Sequence, residues 1–205
     1  MKIGVEWGTR PDEDVRRDQV ALEAIGPGAG LMVDANCAYS ARQAVAQAHR
    51  FADYGVAYFE EPVSSDHLDQ LAFVRQRGPS GMAIAAGEYG YDPWYFRDML
   101  RAGEVDILQA DATRCLGVTG FLEAAALAHS LATPFSAHTA PAIHAQVGCA
   151  APQIAHLEYF HDHVRIEQLL FDGAPEPVGG CLRPDASRPG LGLEFKRADA
   201  ARYAI

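Results

Sequence analysis

Six short apolar runs, each ending on an acid or a histidine, constrain this chain more than any other feature. They read LMVDAN, VAYFEEP, MAIAAGE, VDILQAD, TPFSAH and HLEYF, and they carry Asp34, Glu60, Glu88, Asp111, His138 and Glu158 at or near their C-terminal ends. Successive members of that series lie 20 to 28 residues apart. Such an interval holds one strand, one helix and two loops, so each reads as a βα unit. Parallel strands buried on both faces appear as continuous apolar runs, as these do. Polar groups at the C-terminal ends of such strands stand where the active sites of α/β barrels lie. Five acids and a histidine in one register exceed what packing alone explains.

At 205 residues the chain is long enough for one domain with an appendage. Its formal charge is −10, from 17 basic and 27 acidic residues, without a basic cluster, which argues against nucleic acid or an anionic membrane as partner. No apolar stretch approaches the roughly 20 residues of a membrane span, and no basic-then-apolar signal opens the chain. Cys37, Cys115, Cys149 and Cys181 lie far apart without a CxxC pair, the pattern of reduced thiols in a cytoplasmic protein.

Residues 1–8 read as a short strand with Lys2 at its front, where a solvated lysine and a site lysine are equally open readings. A helix is predicted over residues 11–24, with Val15, Val20, Leu22 and Ile25 as its apolar positions. Ser40 and Gln43 have capping-box spacing before a helix striped by Ala41, Ala44, Val45, Ala48 and Phe51. Of the adjacent acids Glu60 and Glu61, alternation along a strand allows one to reach a site and leaves the other to a structural ion pair. Helices are also predicted over residues 66–77, 92–102 and 120–131, the second with Trp94, Tyr95 and Phe96 as core. His161 and His163 have the i, i+2 spacing of ligands on a strand, but no further ligand set accompanies them, and a rim or structural role is the preferred reading. From Phe171 onward the chain is rich in Gly and Pro and loses the βα rhythm, as an extended tail would.

Asp34, Glu60 and Glu88 on consecutive strand ends, with no thiolate or paired histidine beside them, suit a hard, oxygen-seeking cation such as Mg²⁺. A metal on a substrate carboxylate stabilises the enediolate formed when an α-proton leaves. His138, with Asp111 one βα unit earlier to fix its tautomer, supplies a base for that proton. A protonated Glu158 would donate to the carboxylate oxygen where charge develops.

Together these residues resemble the enolase superfamily, in its mandelate racemase and sugar-acid dehydratase branch, over nearly the whole chain from Lys2 onward. The resemblance implies that Asp34 in MVDAN, Glu60 in FEEP and Glu88 in AGE are the magnesium ligands. It makes Asp111 and His138 the catalytic dyad, Glu158 in HLE the electrophile, Lys2 in KIG the base on the opposite face, and Asn36 a substrate-binding group. The implied fold class is α/β, a TIM-like (β/α)7β barrel that is incomplete, lacking its first strand and N-terminal capping domain. Residues 1–172 would be the partial barrel and residues 173–205 a tail that packs on the cap. Two departures stand out: the first lysine of the lysine-x-lysine pair would precede Met1, and Leu116 fills a position where the family usually has glycine. Glu88 as third ligand, and a His–Asp dyad in place of a lysine, favour the dehydratase and racemase branch.

The expected function is Mg²⁺-dependent abstraction of the α-proton of a small-molecule hydroxy carboxylate, ending in dehydration of a sugar acid. The alternatives are a racemase or epimerase of a 2-hydroxy acid and a non-catalytic barrel fragment. The family reading also implies a cytoplasmic homo-oligomer. With a strand and the cap missing, the 205-residue chain is expected to be inactive by itself, and to aggregate or to close its edges by oligomerising.

Overall fold

A computed structural model describes residues 1–204, with the backbone alone at position 5, and it divides into two compact units. The first comprises Met1–Tyr89 with Trp94–Gln109, and the second Gly90–Pro93 with Ala110 onward.

In the first unit four parallel strands follow chain order: β1 (Met32–Asp34), β2 (Tyr58–Glu60), β3 (Ala83–Ala86) and β4 (Ile107–Ala110), the last residue of β4 falling in the second unit. Ahead of them the expected strand at residues 1–8 shrinks to one parallel bridge between Lys2 and Asp34. Gly4 ends it with a left-handed φ of 78°, and a Cβ there would stand 2.5 Å from that of Ala38, so only glycine turns the chain at this point. An irregular turn, α1 (Val5–Gly8), follows with Glu6 and Trp7 at positive φ.

Helix α2 (Pro11–Ile25) starts on proline with Asp12, Glu13 and Asp14 in its first turn, where the dipole favours acids. Its inward face differs from the expected apolar stripe. Asp14, Val15 and Asp18 are buried, whereas Val20 and Ile25 are exposed. Asp14 fixes that orientation, because it accepts hydrogen bonds from Gly4 N–H at 3.0 Å and Tyr39 O–H at 2.6 Å. Hydrogen bonding thus overrides apolar periodicity here.

The helices α3 (Ala41–Ala52), α4 (Leu68–Arg77) and α5 (Pro93–Arg101) connect the strands. The capping box at Ser40 and Gln43 is present, and the α3 stripe is buried at Ala44, Ala48 and Phe51. Phe51 meets Phe59 of β2 edge to face, with centroids 5.6 Å apart. Each such buried aromatic contributes roughly 1.5–3 kcal/mol, which makes this contact a principal anchor of α3. Of the three rings on α5 only Phe96 is fully buried. Trp94 is exposed, and Tyr95 donates its hydroxyl to Ser65 O at 2.9 Å, so the expected three-ring core reduces to one.

In the second unit β5 (Phe135–Ala137) and β6 (Ile154–Leu157) pair in parallel with a register shift between Phe135 and Ser136. The helices are α6 (Gly117–Ser130), α7 (Pro141–Val147) and α8 (His161–Leu170). Phe121 of α6 packs on Phe135 at 5.0 Å, among buried Ala124, Ala125 and Ala128. His161 and His163 lie in the first turn of α8 rather than on a strand, so their i, i+2 spacing does not put them on one face. Beyond them β7 (Phe171–Asp172) and β8 (Glu194–Phe195) form an antiparallel pair, fastened by Arg188 to Asp172 at 2.9 Å, before the short α9 (Arg197–Ala200).

From β1 to β6 strands and helices alternate with the strands parallel within each unit, the α/β pattern of part of a TIM barrel. Among the described residues no helix is long and apolar enough to cross a membrane.

Candidate functional site

Register positions the first group of side chains. Asp34 lies beside Glu60 across β1 and β2, and Glu60 lies beside Ala85 across β2 and β3, with Glu88 just beyond β3. Asp34, Glu60 and Glu88 are all buried. Gly87 lets β3 end there: its φ is 132°, and a Cβ would stand 2.1 Å from Gln109 O. Asn36 ties two of the acids together. Its N–H donates to Asp34 Oδ1 at 2.7 Å, and its Nδ2 donates to Glu88 Oε1 at 3.3 Å and to Tyr89 O–H at 3.1 Å.

Lys2 joins this group by donating Nζ to Asp34 Oδ2 in a short ion pair. Burial alone would lower the ammonium's pKa, but the hydrogen bond to Asp34 and the charges of Asp34, Glu88 and Glu60 carry it above its ordinary value. Glu61 departs from expectation. It is fully buried and forms no ion pair among the described residues, while Gly87 N–H donates to it at 2.9 Å and the Cys37 thiol at 3.5 Å. Burial, opposed by the Gly87 hydrogen bond, pushes its carboxyl up to about 8.

The donor set of Asp34, Glu60 and Glu88 fits a hard cation in kind: three carboxylate side chains withdrawn from solvent, each offering oxygen ligands. Among the described residues no three His, Cys, Asp or Glu side chains are gathered closely enough to enclose an ion. Lys2 and the Asn36 amide meanwhile each take one oxygen of Asp34.

The second group lies wholly in the second unit. Asp111 follows β4, and its Oδ2 stands 2.9 Å from His138 Nδ1 at the end of β5. Thr113 donates both its N–H, at 2.8 Å, and its hydroxyl, at 2.7 Å, to Asp111 Oδ1. Burial raises the Asp111 pKa, but the hydrogen bonds from His138 and Thr113 outweigh it and hold the carboxyl at about 2. An ionised Asp111 only accepts, so His138 Nδ1 carries a proton, and in the neutral ring Nε2 is the basic nitrogen. That Nε2 stands 4.0 Å from Glu158 Oε2, and the same oxygen accepts Thr139 N–H at 3.1 Å. The edge of Phe160 closes over the His138 ring, with centroids 6.1 Å apart.

Of the residues singled out in the sequence, Lys2, Asp34, Asn36 and Glu88 are joined by hydrogen bonds, with Glu60 paired in register to Asp34; Asp111, His138 and Glu158 form the second cluster. Tyr89, Thr113, Thr139 and His144 also belong to these clusters and were not foreseen. Tyr89 and Thr113 sit one or two places from an anticipated acid, a signal available in the sequence. His144 is buried in HTAPAIHAQ and has no such neighbour.

An α/β barrel segment bearing carboxylates and a His–Asp pair at its strand ends defines a recognisable class. Residues 1–200 match the Enolase C-terminal domain-like family, and the chain belongs to it. It is 33% identical to D-galactarolactone cycloisomerase of Agrobacterium fabrum, covering 96% of this chain and 54% of that protein. It is 28% identical to arabinonate dehydratase of Saccharolobus solfataricus, covering 96% and 52%. The crystal structure of a mandelate racemase/muconate lactonizing enzyme-like protein from Rubrobacter xylanophilus superposes with a TM-score of 0.94 at 52% identity, over 100% of this chain and 56% of that one. An enolase from Bradyrhizobium complexed with magnesium and mandelic acid superposes at 0.89 with 27% identity, covering 100% and 54%. The chain thus spans about half the length of the proteins it matches.

Proposed function

We propose that this chain carries the chemical machinery of a magnesium-dependent enzyme that removes the α-proton of a hydroxy carboxylate, with dehydration of a sugar acid as the outcome. The observation that carries this reading is the Asp111–His138 pair, in which Asp111 holds Nδ1 and Nε2 stands 4.0 Å from Glu158 Oε2. His138 would take the proton at Nε2, and Asp111 would stabilise the imidazolium that results. Glu158 would donate to a substrate carboxylate oxygen when protonated. Asp34, Glu60 and Glu88 would hold Mg²⁺, which when bound supplies a Lewis acid for the charge developing on that carboxylate. Asn36, which already bridges Asp34 and Glu88, would hold both side chains in place and offer its amide to substrate.

The named activities of the relatives support the substrate class, an acid derived from a sugar, and the magnesium in a solved neighbour supports the metal. Loss of a β-hydroxyl distinguishes dehydration from racemisation, in which the same carbon is reprotonated. Lys2, a second basic side chain, favours racemisation as the other reading.

The test is proton NMR of sugar and hydroxy acids incubated in D₂O with Mg²⁺. Within a complete barrel with its capping domain, the wild-type sequence is expected to form a 2-keto acid, while His138→Asn abolishes turnover and α-deuteration and leaves metal binding intact. Turnover by His138→Asn at the wild-type rate would defeat the assignment. Deuterium appearing in an inverted product, without keto acid, would establish racemisation instead.

A further inference from the structure

His144 of α7 is fully buried and takes no direct part in the chemistry above. Its two ring nitrogens nonetheless meet the residues that immediately follow the dyad. Ala112 N–H donates to Nε2 at 2.9 Å, and Nδ1 stands 2.6 Å from Thr139 O. An amide N–H can only donate and a carbonyl can only accept. Nε2 must therefore be the bare nitrogen, and Nδ1 must carry the proton that it gives to Thr139 O. One imidazole in one tautomer thus links the chain just past Asp111 to the chain just past His138. Phe121 lies against the ring at 5.1 Å with an interplanar angle of 31°, which fixes the plane in which both hydrogen bonds run. The Nε2 atom also stands 3.8 Å from Asp111 Oδ1, so a proton placed there would compete for a carboxylate oxygen that Thr113 already occupies.

We infer that His144 is a positioning residue: as a neutral imidazole protonated on Nδ1, it clamps Ala112 to Thr139 and so sets the Asp111–His138 hydrogen bond. Burial lowers the His144 pKa against the opposing pull of Thr139 O and the Asp111 charge, which keeps the ring in the neutral form the clamp requires. The consequence for catalysis rests on the proposed role of the dyad. The geometric claim does not, and it is tested without substrate or metal.

The experiment is ¹⁵N NMR of the histidine rings in the full chain. In wild type, His144 is expected to show a protonated Nδ1 and a bare Nε2 from pH 6 to pH 8; a proton on Nε2 at neutral pH would overturn the inference. In His144→Phe, which keeps a planar ring but makes neither hydrogen bond, the His138 titration is expected to move down by about one pH unit as its contact with Asp111 loosens. His144→Gln, able to accept from Ala112 and donate to Thr139, should restore most of that shift. A merely structural role would lower Tm in both variants and leave the His138 titration where it was, and that result also overturns the inference. Should the phenylalanine variant fail to fold, the wild-type tautomer and the glutamine variant decide the matter. Absence of α-proton exchange with the clamp intact would count against the proposed function alone.

Discussion

Lys2 and Asp34 meet twice: their backbones form an isolated parallel bridge, and the Lys2 ammonium donates to Asp34 Oδ2. A cation built into the chain therefore rests on an oxygen that the proposed metal would need. Three buried carboxylates standing near one another are costly without compensation, and Lys2 partly supplies it.

Lys2→Met should separate these two effects. Without metal, the variant is expected to melt several degrees below wild type, because the carboxylates lose their counter-charge. Its Mg²⁺ affinity should rise about tenfold, since the competing and repelling ammonium is gone. Calorimetric titration checks both, and an affinity equal to or weaker than that of wild type would contradict the competition.

Glu60→Gln tests the ligand set directly. It keeps the side chain's size and removes a charge from a position paired in register with Asp34. Mg²⁺ stabilises the fold by mass action only if it binds the folded chain. The Mg²⁺-induced rise in Tm should disappear in this variant, and an unchanged rise would remove Glu60 from the set.

Asp18 predicts a pH dependence. Both carboxyl oxygens are buried without a hydrogen-bond partner among the described residues, and burial together with the neighbouring Asp14 charge pushes the group from 3.8 up to about 7. Between those values the folded chain holds a proton that the unfolded chain releases. Asp18 therefore subtracts stability progressively as pH rises from about 4 to about 7, and no further above that. Asp18→Asn should match wild type near pH 4 and exceed it in Tm at pH 8. Equal melting temperatures at both pH values would refute the assignment.

Leu116 holds a left-handed conformation, φ 67°, at the N-terminus of α6 while its side chain is exposed. That backbone costs a branched residue roughly 1–2 kcal/mol, and glycine avoids the cost at the expense of a floppier unfolded chain. Leu116→Gly is expected to raise the urea midpoint by the equivalent of about 0.5–1 kcal/mol with the m-value unchanged. A lowered midpoint would mean that the leucine side chain makes a stabilising contact.

Much of this was legible in the sequence because it is local. Continuous apolar runs announce parallel strands, and the capping box at Ser40 fixed the start of α3. The strand-end acids and His138 could be listed from register alone. What escaped depends on partners distant in sequence. The buried face of α2 follows Asp14, which answers to Gly4 and to Tyr39, 25 residues away. His144 is defined by Ala112, 32 residues before it. The strand at residues 1–8 failed because the left-handed Gly4 breaks an extended backbone that apolar content alone would have continued.

The candidate groups also sort by position along the chain. The candidate oxygen donors and Lys2, a second basic group, fall within Met1–Tyr89, whereas Asp111, His138 and Glu158 all follow Ala110. Under the proposed function, substitutions that change how Asp111, His138 and Glu158 treat the proton would fall in one contiguous stretch of gene, and those that change Lys2 in the other. Recombination between relatives at the β4 boundary would exchange the Asp111–His138–Glu158 cluster as a single cassette and leave Lys2 and the carboxylates behind.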